Sequence, residues 1–179
     1  MITVVRDVEQ GSEEWLAARD GKYTGTSAIR LLKYGDIEYS RTQVSDFRGN
    51  FFTKRGHILE DQAIEIYQAV YGEVVDRPGY VLNDEFPRCL FSPDGLTDTR
   101  VIEVKCFNAE KHMAMRAGDI PVSIKAQIHF GMLISGLRAA RLVIYNPDVD
   151  SALAFKAIDI PYQPAIESNF RRRLQGVLV

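Results

Sequence analysis

Between Val101 and Cys106 the chain reads Val-Ile-Glu-Val-Lys-Cys, an apolar run broken by one acid and one base two residues apart. Side chains two apart in a strand share a face. Glu103 and Lys105 therefore point one way, roughly 7 Å apart along the strand, and Ile102, Val104 and Cys106 point the other. Burying either charge is expensive unless something pairs with it. Upstream, Leu90-Phe91-Ser92-Pro93-Asp94-Gly95-Leu96 is joined to this run by Thr97-Asp98-Thr99-Arg100, and the two read as neighbouring strands of a hairpin with polar tips. A divalent metal resolves the charge problem: Asp94 and Glu103 offer hard oxygen ligands, the Val104 carbonyl a third, and Lys105 lies beside an activated water or phosphate oxygen. That is the chemistry of phosphodiester hydrolysis.

Acid-x-Lys triplets also arise by chance. With about a quarter of residues charged, one or two are expected at this length, and Asp20-Gly21-Lys22 is a second. That triplet has no apolar flanks to place it on a buried strand, whereas Glu103 has both the flanks and Pro93-Asp94 one short loop upstream. The 179 residues, 46% of them hydrophobic, suit one domain spanning 1–179. A net charge of −2 excludes a broad basic surface, so any DNA contact must come from a local groove. Cys89 and Cys106 form no Cys-x-x-Cys pair, which argues against a zinc or iron–sulfur site and for a reducing compartment. No run approaches the roughly 18 apolar residues of a membrane span, and the expectation is a cytoplasmic protein.

Along the chain, Ser12 caps a helix with Glu13 and Glu14 at its positive end and Trp15, Leu16 and Ala18 on an apolar side. Arg19, four residues after Trp15, shares its face, as a phosphate ligand or as a solvated helix terminus. Lys22 to Ser27 is a hydroxyl-rich turn into a helix from Ala28, suited either to phosphate binding or to plain capping. Gly35 to Asn50 is the longest irregular stretch. Lys54-Arg55-Gly56 precedes a helix with Leu59, Ala63, Ile66, Tyr67 and Val70 as its stripe, Glu60 at the border of that stripe, and Gly72 as its stop. Val74-Val75 and Tyr80-Val81-Leu82 read as strand pieces. A helix covers Ala109 to Ala117, and another runs from about Ser123 to Ser135, apolar on nearly every side, so Gln127 on it needs hydrogen-bond partners, structural or ligand. Strands follow at 140–145 and 153–158, and a last helix from Pro164 carries Arg171-Arg172-Arg173, able to track DNA or to face solvent. His57, His112 and His129 share no ligand spacing. The order of elements gives an α/β arrangement, a mixed central sheet covered on both sides.

Five motifs fall in one order that resembles the phage lambda exonuclease family, the YqaJ-type viral recombinases of the PD-(D/E)xK nuclease superfamily. Trp15-Leu16-Ala17-Ala18-Arg19 with Gly21-Lys22-Tyr23-Thr24-Gly25-Thr26 is similar to its first motif. Arg55-Gly56-His57-Ile58-Leu59-Glu60-Asp61-Gln62-Ala63 is similar to its Gly-x-x-x-Glu-x-x-Ala helix. Ser92-Pro93-Asp94-Gly95-Leu96 and Glu103-Val104-Lys105-Cys106 match its catalytic centre, and Ala126-Gln127-Ile128 its late glutamine motif. The resemblance implies a restriction-endonuclease-like core. It implies that Asp94 and Glu103 hold a pair of magnesium or manganese ions, that Glu60 serves the second, and that Lys105 orients or deprotonates the attacking water. Arg19, Thr26, Ser92 and Gln127 would form a pocket for the 5′-terminal phosphate of duplex DNA. Thr26 stands where the family commonly has serine, Gly25 where alanine is common, and the region before Glu60 is short for the family.

The expected activity is metal-dependent 5′-to-3′ degradation of one strand of linear double-stranded DNA, leaving 3′ overhangs for phage recombination. Its expected partners are duplex ends, a single-strand annealing protein and, by resemblance, further copies of the chain in a trimer. The same fold also serves restriction or repair endonucleases, and a catalytically inactive DNA-end-binding module is a third reading. Intact Asp94, Glu103 and Lys105 weigh against the last, because an inactive module has no use for a costly charged cluster.

Overall fold

The computed structural model describes residues 1–34 and 51–175; the expected irregular stretch 35–50 lies outside them. In chain order the elements are β1 (Ile2–Val5), α1 (Glu13–Arg19), a 3-10 turn at Gly25–Ser27, α2 (Ala28–Tyr34), α3 (Phe51–Tyr71), β2 (Tyr80–Asn83), β3 (Gly95–Leu96), β4 (Val101–Lys105), α4 (Ala109–Arg116), α5 (Val122–Ser135), β5 (Ala139–Tyr145), β6 (Phe155–Pro161) and α6 (Pro164–Gln175). The central sheet has the order β3-β4-β5-β6 and is mixed. β4 and β5 run parallel, joined by a crossover through α4 and α5, and the two outer pairs are antiparallel. β1 and β2 form a separate antiparallel pair.

Local chemistry sets the helix ends. The Ser12 hydroxyl accepts from the Trp15 amide at 3.2 Å and the Asn108 side chain accepts from the Lys111 amide at 3.1 Å, each satisfying a donor that the first turn leaves unpaired. Gly72 and Gly136, at φ +66° and +72°, stop α3 and α5 in the left-handed region that glycine adopts without penalty.

Two apolar clusters sandwich the sheet. On one face Ile102, Val104 and Val143 pack against Ala63, Ile64 and Tyr67 of α3. On the other, Val101, Ala140, Leu142 and Ile144 pack into a larger core with Ile124, Ile128 and Phe130 of α5 and Phe170 of α6. The expected alternation along β4 holds, and Glu103 lies beside Leu142 in the parallel register, on the face that looks toward the larger core. Burying one such apolar side chain contributes about 1.5–3 kcal/mol. Several are therefore needed to offset the few kcal/mol per ion that burying Glu103 and Lys105 costs.

Several expected boundaries are corrected. α3 starts at Phe51, before Gly56, because a helix 21 residues long with a buried face tolerates an interior glycine that costs only about 1 kcal/mol. Its inner stripe is Ala63, Ile64 and Tyr67, while Val70 is 61% exposed. Val74-Val75 forms no strand; Val74 is exposed, and the pairing near it is a single bridge from Asp76 to Leu96. Leu90-Phe91 is not part of the hairpin with β4, whose first strand is only Gly95–Leu96, and Phe91 instead pairs with Val81. β6 begins at Phe155 rather than 153, since residues 150–154 close a turn whose end is fixed by Asn146 N–H to Ala154 O at 2.9 Å. The Ile2–Val5 strand carried no expectation.

Gly131 on α5 faces Phe91, the residue before Ser92. A methyl group there would stand 2.5 Å from Phe91 Cζ, and overpacking of this kind costs about 1–3 kcal/mol. Gly131→Ala should lower the urea midpoint accordingly without changing the slope; an unchanged midpoint would show that the ring yields freely.

Candidate active site

Asp94 and Glu103 are placed by different means. Gly95 enters β3 with its Cα so close to Val75 that an added methyl would lie 2.4 Å from Val75 Cγ1. With Asp94 thus fixed beside β4, its Oδ2 accepts from the Val104 amide at 2.7 Å. Glu103 is fully buried, and its Oε1 accepts from Lys105 Nζ at 2.5 Å. Its Oε2 is buried with no hydrogen-bond partner among the described residues.

The electrostatics follow from burial. Burial, with Asp94 nearby, raises the Glu60 carboxyl from 4.5 to about 7, partly countered by His57, Lys105 and Arg77. Burial likewise pushes the Asp94 and Glu103 carboxyls above their ordinary range, against the pull of Lys105. Burial alone would lower the Lys105 ammonium, but Glu103, Asp94 and Glu60 outweigh it and hold the group charged. Three acids thus surround one cation, and one carboxylate oxygen is unsatisfied. His57, with Nδ1 3.5 Å from Glu60 Oε2, and Arg77, paired with Asp61, stand at the margin of this cluster.

Two residues before Asp94, the Ser92 hydroxyl accepts from Arg19 Nη1 at 3.0 Å and from Trp15 Nε1 at 2.9 Å. The Arg19 guanidinium lies over the Trp15 ring, 4.1 Å from its centroid, so the shared helix face expected from sequence is a stacked pair. Residues 22–24 run alongside 88–90, with Tyr23 N–H to Arg88 O at 2.8 Å and Leu90 N–H to Tyr23 O at 2.9 Å. This brings the 3-10 turn beside the strand that leads to Ser92. Within the turn, Ser27 Oγ accepts from Thr24 N–H and donates to Thr24 O, both at 2.9 Å, so Ser27 is occupied in capping while Thr26 is exposed. Half-buried Gln127 packs on the turn, its Cγ 3.0 Å from where a Gly25 methyl would sit. The structure therefore joins Arg19 to Ser92, and Gln127 to the turn that carries Thr26.

The sequence matches the YqaJ-like viral recombinase domain over residues 14–138. The chain belongs to that family. The YqaJ-like match spans all five motifs, from Trp15 to Gln127. Similar solved structures include the alkaline exonuclease LHK-Exo from Laribacter hongkongensis, with 23% identity, 93% of this chain and 91% of that chain covered, and a TM-score of 0.77. The same enzyme in complex with dAMP gives 24% identity, the same coverage and 0.80. A phage related exonuclease from Haemophilus somnus 129PT gives 16% identity, 98% and 92% coverage, and 0.54. They share this fold, a mixed central sheet with helices. A comparison with curated proteins finds no match.

Within this YqaJ-like fold, no three His, Cys, Asp or Glu side chains among the described residues converge tightly enough to form a ready-made metal cage. The donor set nevertheless suits a hard divalent cation: the unsatisfied Glu103 oxygen and the crowded Asp94 and Glu60 carboxylates are what an added positive charge would relieve. Sequence reading missed His57, which it treated as a lone histidine, although its place three residues before Glu60 on a helix puts both on one face. It also missed Arg77, whose partner Asp61 lies 16 residues back on α3.

In the unfolded chain Glu60 ionises near 4.5, and in the fold near 7. Between these values the unfolded state loses its proton first, so stability of the metal-free protein should fall as pH rises through that window and level off above it. Glu60→Gln should flatten the fall and raise stability at pH 8 by roughly 1–3 kcal/mol. Thermal unfolding in EDTA at pH 5 and pH 8 checks this; equal losses in both proteins would remove Glu60 from the cluster.

Proposed function

We propose that this protein is a metal-dependent DNA exonuclease that resects one strand of linear duplex from its 5′ end. One observation carries the reading: the tripeptide Ser92-Pro93-Asp94 links an anion-binding group to a half-buried acid. Ser92 is fixed by Arg19 and Trp15, and Asp94 stands beside Glu103 and Lys105. A terminal phosphate held at Arg19 and Ser92 would set the distance at which a phosphodiester meets Asp94. Contacts to phosphate fix register without reading bases, so little sequence preference follows. Thr26, on the turn beside the Ser92 strand, and Gln127 of α5, packed on that turn, complete the proposed 5′-phosphate pocket. Names of the structural neighbours, alkaline exonuclease and phage related exonuclease, support the reading, as does the dAMP bound to one of them.

A magnesium or manganese ion would be held by Asp94, Glu103 and the Val104 carbonyl, and a second by Glu60 with the shared carboxylates. Such ions lower the pKa of water and neutralise charge developing on phosphate oxygens. In the metal-free fold Glu103, Asp94 and Glu60 hold Lys105 charged; beside bound ions that offset those acids, its part would be to orient or deprotonate the attacking water. Burial strengthens that interaction relative to water.

Lys105→Ala should slow cleavage of a linear duplex by roughly 100- to 1000-fold, while DNA binding in calcium persists; equal loss of binding would contradict the role. Arg19→Ala should erase any preference for 5′-phosphorylated over 5′-hydroxyl ends. Competition between the two substrates in one digest measures this, and an unchanged preference would take Arg19 out of the pocket.

A further inference from the structure

Residues 76–81 and 91–96 run antiparallel, and their backbone ladder is closed at both ends. Val81 and Phe91 exchange hydrogen bonds of 2.7 and 3.1 Å, and Asp76 and Leu96 exchange two of 2.8 Å. Between these rungs the ladder is open. Pro78 and Pro93 have no N–H to donate, and the Gly79 N–H is taken by Val5 O at 2.9 Å. Carbonyls of Pro78, Gly79 and Pro93 are therefore left without donors from the opposite strand.

Two side chains fill the gap. Gln10 Nε2 donates to Pro78 O at 3.0 Å and to Pro93 O at 2.8 Å. Trp15 Nε1 donates to Gly79 O at 3.2 Å and to Ser92 Oγ at 2.9 Å. Each side chain spans the two strands at successive positions, 78 to 93 and 79 to 92, as an inserted rung. The segment carrying Gln10 lies close enough for this because residue 79 is glycine; a methyl there would meet Val8 O at 2.2 Å. Both Ser92 and Asp94 sit in the opened part of the ladder.

We infer that Gln10 is a positioning residue: by tying the Pro93 carbonyl to the opposite strand it fixes the separation between the phosphate anchor at Ser92 and the acid at Asp94. This rests on the exonuclease reading above. The separation matters only when the anchor is in use. A 5′-phosphorylated end engages Ser92 and Asp94 together, whereas a 5′-hydroxyl end reaches Asp94 without the anchor. Misplacement of a bound group by about 1 Å is costly in rate.

The test is steady-state cleavage of matched duplexes with 5′-phosphoryl or 5′-hydroxyl ends by wild type, Gln10→Met, which keeps the length but has no donor, and Gln10→Lys, which restores donors. Gln10→Met should lower kcat on phosphorylated ends by about tenfold or more, with hydroxyl ends changed by less than about threefold and KM little altered. Gln10→Lys should recover most of the loss. Equal slowing on both ends, or no slowing, overturns the inference, as does failure of Gln10→Lys to recover a folded protein's activity. A wild type that shows no preference for phosphorylated ends overturns the exonuclease pocket itself, and the inference with it.

Discussion

Glu103 is an acid with no solvent, and the rest of the structure accommodates it. It lies in the middle of β4, beside Leu142 and within a core that extends to α5 and α6. Among the described residues only Lys105 is hydrogen-bonded to its carboxylate, and one of its oxygens has no partner. Removing either member of such a pair would leave a buried charge uncompensated, a loss of roughly 3–5 kcal/mol, whereas well-packed apolar replacements are often neutral or stabilising. The pair is thus a poor device for stability. Its cost makes sense where charge must be handled, and Asp94 and Glu60 add further negative charge beside it.

The second constraint is the position of Ser92 relative to Asp94. Prolines on two neighbouring strands remove the amides that would zip the strands together, and the opened stretch is the one in which both residues sit. Side chains from the N-terminal segment and α1 hold it at a fixed width. The opened stretch is held by ordinary hydrogen bonds, each worth about 1 kcal/mol. Arg19, stacked on Trp15, draws its orientation from the same ring that spans the gap.

Much of this was legible from the chain. The period of two in Val101–Lys105 separated Glu103 and Lys105 from Ile102 and Val104, and the structure places those sets on opposite faces of the sheet. Ser12 and Gly72 marked helix ends through local chemistry, and the interval of four from Trp15 to Arg19 anticipated their stacking. Harder to read were features decided by distant partners. Ile2–Val5 is a strand because Tyr80–Asn83 pairs with it, and the valines at 74 and 75 are not one because a single bridge at Asp76 takes the place of a ladder. Gln10 is a polar residue on an exposed stretch, and its two acceptors lie 68 and 83 residues away. Arg171, in the run that was open to either DNA or solvent, is engaged by Glu167 and Glu85.

The central claim is that the clustered acids Asp94, Glu103 and Glu60 act on DNA ends through a bound cation. It is tested most directly by incubating a 5′-phosphorylated linear duplex and the same DNA as a covalently closed circle with the protein, first with magnesium and then with EDTA. The account predicts loss of the linear form alone, and only with magnesium. Cutting of the circle, or degradation that persists in EDTA, would contradict it.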